Sequence, residues 1–163
     1  MRVVAGVDIA APIDSVFAIA SDPERVLSFM SGITRWEVVG DRSRGLGARY
    51  RMLLRVGSAE IGGLIEIVEF APPGDFAWTS VTGIDQHGRF RLRSRGPERT
   101  RVEFRLAYGV AGAGIGGWIA ERVAARSVAA HQRRTVRGLK RLVEYEQMRE
   151  RASARRAARV GAA

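Results

Sequence analysis

The chain has 163 residues, of which 46% are hydrophobic and none is cysteine. This length suits one domain with a sizeable core, and the lack of cysteine excludes disulfides, thiolate metal ligands and thiol nucleophiles. The formal net charge is +10. It is concentrated near the end, because eleven lysines and arginines from Arg126 onward stand against three glutamates.

Neither the start of the chain nor its longest uncharged run predicts membrane insertion. Asp8 interrupts the apolar start, so no signal peptide is expected. The longest uncharged run, at 106–120, has 15 residues and includes five glycines. A spanning helix needs about 20 apolar residues. We therefore expect a cytoplasmic protein without a membrane span.

The first 32 residues predict a strand followed by two short helices. Residues 3–9 form the strand, and Pro12 marks the start of the first helix. Pro23 suits the first turn of the second helix, where its missing N–H has no partner to lose. Ser31-Gly32 ends that helix. The apolar sides of the two helices consist of Val16, Phe17, Ala20, Val26, Leu27 and Met30.

From residue 35 to residue 108 the hydrophobic period changes from 3.6 to 2, which is typical of strands. Six segments alternate polar and apolar side chains, with turn signals such as Gly96-Pro97 between them. Consecutive amphipathic strands with short turns predict an antiparallel sheet with one covered face. The covered face is expected to carry Trp36, Tyr50, Met52, Leu54, Ile65, Ile67, Trp78, Phe90, Leu92, Phe104, Leu106 and Tyr108.

A single long helix is predicted from about residue 118 to about residue 148. One of its faces collects Ala125, Val128, Gln132, Thr135, Val136, Leu139, Leu142 and Val143. The covered sheet face is the only apolar partner large enough for it. We therefore predict an α+β domain over residues 1–148, in which a curved antiparallel sheet of about seven strands wraps the helix and two short helices follow strand 1.

Two polar residues, Gln132 and Thr135, lie on the apolar face of this helix. An unsatisfied buried amide costs about 1–3 kcal/mol, so both side chains need partners. Either they bond to a neighbouring strand or to buried water, or they face a cavity and offer a ligand its few directional contacts. The sequence leaves both interpretations open.

The last segment, residues 149–163, is small and basic, and Val160 is its one large apolar residue. It cannot bury enough surface to offset its ordering entropy, so we expect it to be disordered and dispensable for folding. Five arginines stand against Glu150 in this tail. It either makes peripheral contact with an anionic membrane or only keeps the protein soluble.

Three stretches carry a resemblance to a known superfamily. They are APIDSVFAIASDPERVLSFMSGITRWEVV at 11–39, FAWTSVTGIDQHGRFRLRSRGPERTRVEFRLAYGV at 76–110, and GLKRLVEYE at 138–146. In this order the chain resembles the START-like or SRPBCC superfamily, and within it the bacterial polyketide cyclase/dehydrase-like proteins. The resemblance implies a helix-grip fold with a deep pocket for lipids, quinones, polyketides or hormones. It also implies that a minority of members are enzymes, and it assigns no catalytic residue.

The sequence GAGIGG at 112–117 matches the dinucleotide-binding pattern G-x-G-x-x-G. The helix after it runs to the chain end, so no second parallel strand follows. Arg137 stands about 20 residues on, where an acidic residue is required, and the preceding strand alternates where a parallel central strand would be apolar throughout. We expect no dinucleotide here and no cofactor elsewhere, and we interpret the stretch as a flexible connection.

His87 and His131 are the only histidines. Zinc needs three or four ligands from His, Cys or carboxylates, and nothing here supplies that spacing, so no metal site is predicted. His87 is expected in a hairpin turn. His131 is expected to be a half-buried residue at the flank of the long helix, in preference to a general base.

Glu69 is the one carboxylate that strict alternation places on the covered face. Either a β-bulge rotates it outward, which we favour, or it is a polar anchor or acid in the pocket.

Arginines are dense on the outer face of one strand and its neighbour: Arg89, Arg91, Arg93, Arg95, Arg101 and Arg105. A nucleic-acid-binding module would interleave them with exposed aromatic side chains. Here the aromatic residues are predicted on the opposite face. We expect a solvated surface rather than a nucleic-acid interface, although the charge density favours acidic partners or anionic headgroups.

The sequence favours a binding or carrier protein for an apolar small molecule such as a lipid, polyketide or quinone-like compound. The predicted ligand contacts are the large residues of the covered face together with Gln132 and Thr135. The alternative is a cyclase or dehydratase for a polyketide-like substrate, in which Glu69, Tyr108 or His131 moves a proton. A third hypothesis is an interaction module that uses the basic helix and tail on a membrane or nucleic acid.

Overall fold

The computed structural model describes residues 2–56, 58–109 and 115–160, while the side chains of 56, 115–125 and 160 lie outside that description. The elements in chain order are β1 Arg2–Ile9, α1 Ile13–Ala20, α2 Val26–Phe29, β2 Ile33–Val39, β3 Arg49–Val56, β4 Ala59–Ala71, β5 Asp75–Ser80, β6 Gln86–Ser94, β7 Thr100–Tyr108 and α3 Ile115–Val160. Within the described residues the strands form one antiparallel sheet in the order β1-β7-β6-β5-β4-β3-β2. The predicted α+β helix-grip fold is confirmed.

Consecutive strands pair from β2 to β7, and β1 closes the sheet against β7. Their registers set covered residues opposite one another, as in the pairs Tyr50–Ile65 and Phe90–Phe104. Along β7, buried residues alternate with partly exposed ones from Thr100 to Leu106. This is the burial pattern of a sheet with one face covered.

The helix α3 covers that face and packs mainly on β1 and α2. Its buried side chains are Val128, Gln132, Thr135, Val136, Leu139 and Val143, and Leu142 packs against the core. The predicted apolar face of the helix is therefore confirmed over these positions. The side chain of Ala125 lies outside the described residues.

Polar contacts fix the second half of α3 to the end of β1. Lys140 Nζ donates to the Asp8 carbonyl and to Glu144 Oε1, each at 2.8 Å. Glu144 Oε1 also accepts the Ala10 N–H at 2.8 Å. Burial alone would raise the pKa of Glu144, but the bonds from Lys140 and Ala10 outweigh it and lower that pKa.

The helix continues to Val160 instead of ending near Met148. The added segment consists largely of alanine and arginine, which are strong helix formers, and Arg151 forms an ion pair with Glu98. Side chains 148–159 are all exposed. The structure thus differs from the disorder expected for the tail over 149–160, whereas 161–163 lie outside the described residues.

A β-bulge reorients Glu69. The register between β4 and β5 shifts between Ile67 and Glu69, so alternation no longer applies, and Glu69 accepts a hydrogen bond from Arg89 at 2.7 Å on the outer face. The favoured interpretation of Glu69 is confirmed.

His87 lies in β6 rather than in a hairpin turn, which corrects the prediction. It pairs with Thr79 in the register with β5, and its Nδ1 lies 2.9 Å from Thr79 Oγ1.

Part of the glycine-rich stretch lies outside the description. Residues 110–114 are not described, and the backbone of α3 begins at Ile115. The predicted mobility of 112–117 therefore stays a prediction. Within the described residues, no helix is long and apolar enough to cross a membrane.

Candidate ligand-binding site

Within the part of the chain that the structure describes, two small cavities lie between the sheet and the helices. The first has a volume of about 30 Å³ and is lined by Met30, Ser31, Ile33, Met52, Leu54, Trp78, Gln86, Phe104, Leu106, Val128, His131, Gln132 and Thr135. The second has about 20 Å³ and is lined by Ala20, Ser21, Pro23, Val26, Met30, Trp36, Gly45, Tyr50, Ile67, Phe70, Phe76, Trp78 and Phe90. Each has room for about one or two water molecules.

Most of the predicted ligand contacts line one of these two cavities. Of these predicted contacts, the first cavity is lined by Met52, Leu54, Trp78, Phe104, Leu106, Gln132 and Thr135. The second is lined by Trp36, Tyr50, Ile67, Trp78 and Phe90. Ile65 and Leu92 line neither cavity and are fully buried in the core. Tyr108 also lines neither and is half-buried against the core.

Several lining residues were not among the predicted contacts. Met30 and Val26 lie on the predicted apolar side of α2, and Phe76 follows the alternation of β5. Their apolar character was visible in the sequence, but the position where α2 docks on α3 was not. No feature of the sequence pointed to Ser31 or Gln86 as a lining residue.

Strands β5, β6 and β7 contribute a stack of aromatic rings to the lining of the cavities. The Phe90 and Phe104 centroids are 4.3 Å apart and nearly parallel, and the Phe76 and Phe90 centroids are 5.0 Å apart. Trp78 lies against this stack, with its centroid 5.8 Å from that of Phe104. The six-membered ring of Trp78 covers Gly88, where a Cβ would be 2.0 Å from Cζ2. Only glycine leaves space for the indole there.

The indole N–H groups of Trp36 and Trp78 are buried and have no hydrogen-bond acceptor among the residues that the structure describes. Trp78 is 3% exposed and lines both cavities. A buried donor without a partner costs about 1–3 kcal/mol. The interior therefore holds a directional polar group that the fold itself does not use.

Gln132 and Thr135 line the first cavity and also bond to the protein backbone. Thr135 Oγ1 accepts the Ser31 N–H at 3.0 Å. With its amide oriented to satisfy both neighbours, Gln132 donates to the Val3 carbonyl at 3.2 Å and accepts the Leu106 N–H at 3.1 Å. The two side chains join α3 to the β1–β7 edge and to the segment after α2.

A polar rim borders the first cavity. His131 is half-buried, as predicted, and its Nδ1 lies 3.0 Å from Ser31 Oγ and 3.2 Å from Arg134 Nη2. Its ring covers Gly32, where a Cβ would be 2.6 Å from Nδ1. Burial, and then the charge of Arg134, lower the pKa of His131. A lowered pKa favours the neutral imidazole.

The outer arginine face is compensated by acidic residues. Asp75 accepts hydrogen bonds from Arg89, Arg91 and Arg93 at 2.8–3.4 Å, and Arg105 pairs with Glu103. The outer face of the sheet is therefore the expected solvated surface, on which ion pairs offset the charges of these arginines. Among the described residues, no group of three or more histidines and carboxylates is placed to hold a metal ion.

A curved seven-stranded antiparallel sheet closed over a long C-terminal helix is the architecture of the START/SRPBCC superfamily. Residues 1–144 match the family described as "Polyketide cyclase / dehydrase and lipid transport". The chain belongs to this family. No curated protein matches the sequence.

Solved structures with the same fold come from several bacteria. Protein TTHA0849 of Thermus thermophilus has a TM-score of 0.76 and 23% identity, covering 88% of this chain and 97% of its own. The Zhui aromatase/cyclase of a Streptomyces species has a TM-score of 0.75 and 17% identity, over 88% and 93%. A START superfamily protein of Mycobacterium smegmatis has a TM-score of 0.67 and 17% identity, over 88% and 97%.

Proposed function

We propose that this protein binds and carries an apolar small molecule with an acceptor oxygen, such as a lipid, polyketide or quinone-like compound, between the sheet and α3. The observation that carries the proposal is the Trp78 indole N–H, which is buried without an acceptor among the described residues, on a side chain that lines both cavities. A carbonyl oxygen of the ligand would supply that acceptor. The aromatic stack beside it would pack on the apolar part of the ligand.

For the two cavities lined by described residues, ligand entry requires side chains to move. Binding sites for small molecules have volumes of about 300–1,000 Å³, whereas the two cavities have about 30 and 20 Å³. Both are lined by Met30 and Trp78, and Met52 lines the first. Methionine is unbranched and adapts to irregular shapes. Displacement of Met30 would join the two cavities into one site beside Trp78.

The expected affinity follows from buried area. Burial of about 300 Å² of apolar ligand surface contributes roughly 7 kcal/mol at about 25 cal/mol per Å². Association and side-chain ordering offset several kcal/mol of this. The hydrogen bond to Trp78 adds about 1 kcal/mol. The sum leaves about 4 kcal/mol, so binding in the millimolar range is the expectation.

Calorimetric titration of the full chain with decan-2-one tests the proposal. We expect one-to-one binding, weaker binding of decane, which has no acceptor, and a loss of about five- to tenfold in ketone affinity in Trp78→Phe, which keeps an aromatic ring without the N–H. Absence of ketone binding, or equal binding of ketone and alkane, would contradict the proposal.

The alternative function is a cyclase or dehydratase for a polyketide-like substrate, and one observation favours it. His131 is a neutral imidazole at the first cavity, beside the hydroxyl of Ser31, and a neutral imidazole can act as a general base. Glu69 faces outward, so it is not a candidate for this role. Incubation with a linear poly-β-ketone tests this function, since dehydrative cyclisation removes one water and His131→Gln should stop it. A wild-type rate equal to that of buffer would exclude it.

We also infer that the basic end of α3 attaches the protein to anionic surfaces. Side chains 149–159 are exposed and helical, and five arginines there stand against Glu150. Each basic residue near an anionic bilayer contributes about 1 kcal/mol. Such attachment would suit a protein that takes up an apolar ligand from a membrane.

A further inference from the structure

Three polar side chains meet where the segment after α2 faces α3. Ser31 Oγ lies 3.0 Å from His131 Nδ1, and Arg134 reaches both of them, through Nε to Ser31 Oγ at 3.1 Å and through Nη2 to His131 Nδ1 at 3.2 Å. A guanidinium has only donors. Nδ1 of His131 is therefore an acceptor, and the neutral ring carries its proton on Nε2.

The charge of Arg134 is not compensated locally. Both of its contacts are neutral acceptors, and no carboxylate of the described residues forms an ion pair with it, in contrast to Lys140 with Glu144 and Arg25 with Glu146 on the same side of the fold. Arg134 instead contributes to lowering the pKa of His131. An anion at this position would offset a positive charge that the protein leaves unpaired.

The guanidinium also keeps suitable donors available. Its Nε–H and one Nη2–H point to Ser31 and His131. The other Nη2–H and the Nη1 hydrogens remain, and these form the fork that binds a carboxylate through two parallel hydrogen bonds. One guanidinium matches the single charge of one carboxylate.

The cluster stands at the solvent end of an apolar cavity. Ser31 and His131 line the first cavity together with Met52, Leu54 and Trp78, while Arg134 is exposed. A ligand whose apolar part occupies that cavity would place a terminal group at this cluster.

We propose that Arg134, supported by Ser31 and His131, binds the carboxylate of an amphipathic ligand whose apolar part lies between the sheet and α3. This inference rests on the proposed function and narrows its ligand to the apolar carboxylic acids. Ser31 and His131 hold the guanidinium in place, and Arg134 sets the preference for an acid over an uncharged molecule of the same length.

Titration with octanoate and with octan-1-ol tests the inference, because the two share a chain and differ in the head group. The wild-type protein should bind octanoate at least about tenfold more tightly. Arg134→Gln should lose that preference and keep its affinity for octanol. Arg133→Gln, which removes the same charge from the neighbouring exposed position of α3, should keep the preference.

Equal wild-type affinities for acid and alcohol, or a preference retained in Arg134→Gln, would overturn the inference while leaving the proposed function intact. Failure of both compounds to bind would overturn this inference, and the decan-2-one titration would then decide the proposed function separately.

A second measurement needs no variant. Besides Arg134 and Ser31, His131 is faced by the backbone of Arg55 on β3 and by Gly32, and among the described residues no carboxylate contributes to its pKa. Octanoate should therefore raise the pKa of His131 measured by NMR, and octanol should not. A pKa that octanoate leaves unchanged would overturn the inference.

Discussion

Trp78 on β5 and Gly88 on β6 are paired in the register of the two strands, and the indole lies over the glycine. A Cβ at Gly88 would lie 2.0 Å from Cζ2 and 2.1 Å from Cε2 of the indole, so Gly88→Ala must displace the ring. Overpacking of this kind costs about 1–3 kcal/mol in the free energy of unfolding, which urea denaturation measures. Gly109→Ala is the matched control, since its Cβ would meet nothing closer than 3.6 Å. Equal effects of the two substitutions would contradict the account of Trp78.

The hydrogen bonds that Asp75 accepts from arginines predict that the stability of the fold depends on pH. Burial alone would raise its pKa, but hydrogen bonds from Arg93 and Arg91 outweigh burial and lower that pKa in the folded state. A lowered folded-state pKa stabilises the fold above the unfolded-state pKa, and the contribution is lost as pH falls through the folded-state value. Asp75→Asn should therefore cost about 1 kcal/mol at pH 7, and the gap to wild type should narrow below about pH 4.

The control for this prediction is Asp41→Asn. Asp41 is exposed and forms no ion pair within the part of the chain that the structure describes, so its substitution should leave the pH profile of the melting temperature unchanged. A wild-type to Asp75→Asn gap that stays constant from neutral to acid pH would show that the ion-pair network does not stabilise the fold.

Single residues show where the sequence alone predicts the position of a side chain and where it does not. Alternation placed Phe90 and Phe104 on the covered face correctly because hydrophobic burial fixes the register of a strand. Glu69 escapes the rule because the bulge before it adds one residue to one strand. Ser31 was not foreseen as a lining residue, since its position depends on how α2 docks against α3, which no local pattern encodes.

Among the elements, the end of α3 shows that residues with high helix propensity can extend a helix even where they bury no side chain. Burial alone predicted disorder after Met148, yet alanine and arginine continue the helix to Val160. A helix already anchored by Lys140 and Glu144 needs no new nucleus. The strands were easier to predict, because each strand buries one face and its sequence therefore alternates polar and apolar residues.

Truncation after Met148 should leave the melting temperature almost unchanged, because side chains 149–159 are exposed and the ion pair of Arg151 with Glu98 lies at the surface. It should weaken co-sedimentation with anionic liposomes at low salt far more than at high salt. Unchanged sedimentation would contradict the attachment, and a loss of several degrees in melting temperature would contradict dispensability.

Replacement of the five tail arginines by glutamine in the full chain is the matched control. It removes the charge and keeps helix-forming residues, so it should weaken liposome binding as truncation does. Liposome binding that survives this replacement but not truncation would assign attachment to the helix itself instead of its charge.

For the whole molecule, the fold followed from sequence and the size of the site did not. The order of one strand, two short helices, six strands and one long helix allows few other packings of its apolar faces. Cavity volume depends on small gaps among Met30, Met52 and Trp78, which no pattern of hydrophobicity resolves. The sequence therefore predicted which side chains lie between the sheet and the helix better than the volume left between them.

The most direct test of apolar ligand binding between sheet and helix is the indole N–H resonance of Trp78, followed by NMR during titration with decan-2-one and assigned with Trp78→Phe. The donor has no acceptor among the described residues and would gain one from the ketone. The account predicts a saturable downfield shift of this resonance with decan-2-one and a smaller perturbation with decane. A resonance that does not move at the solubility limit of the ketone would contradict it.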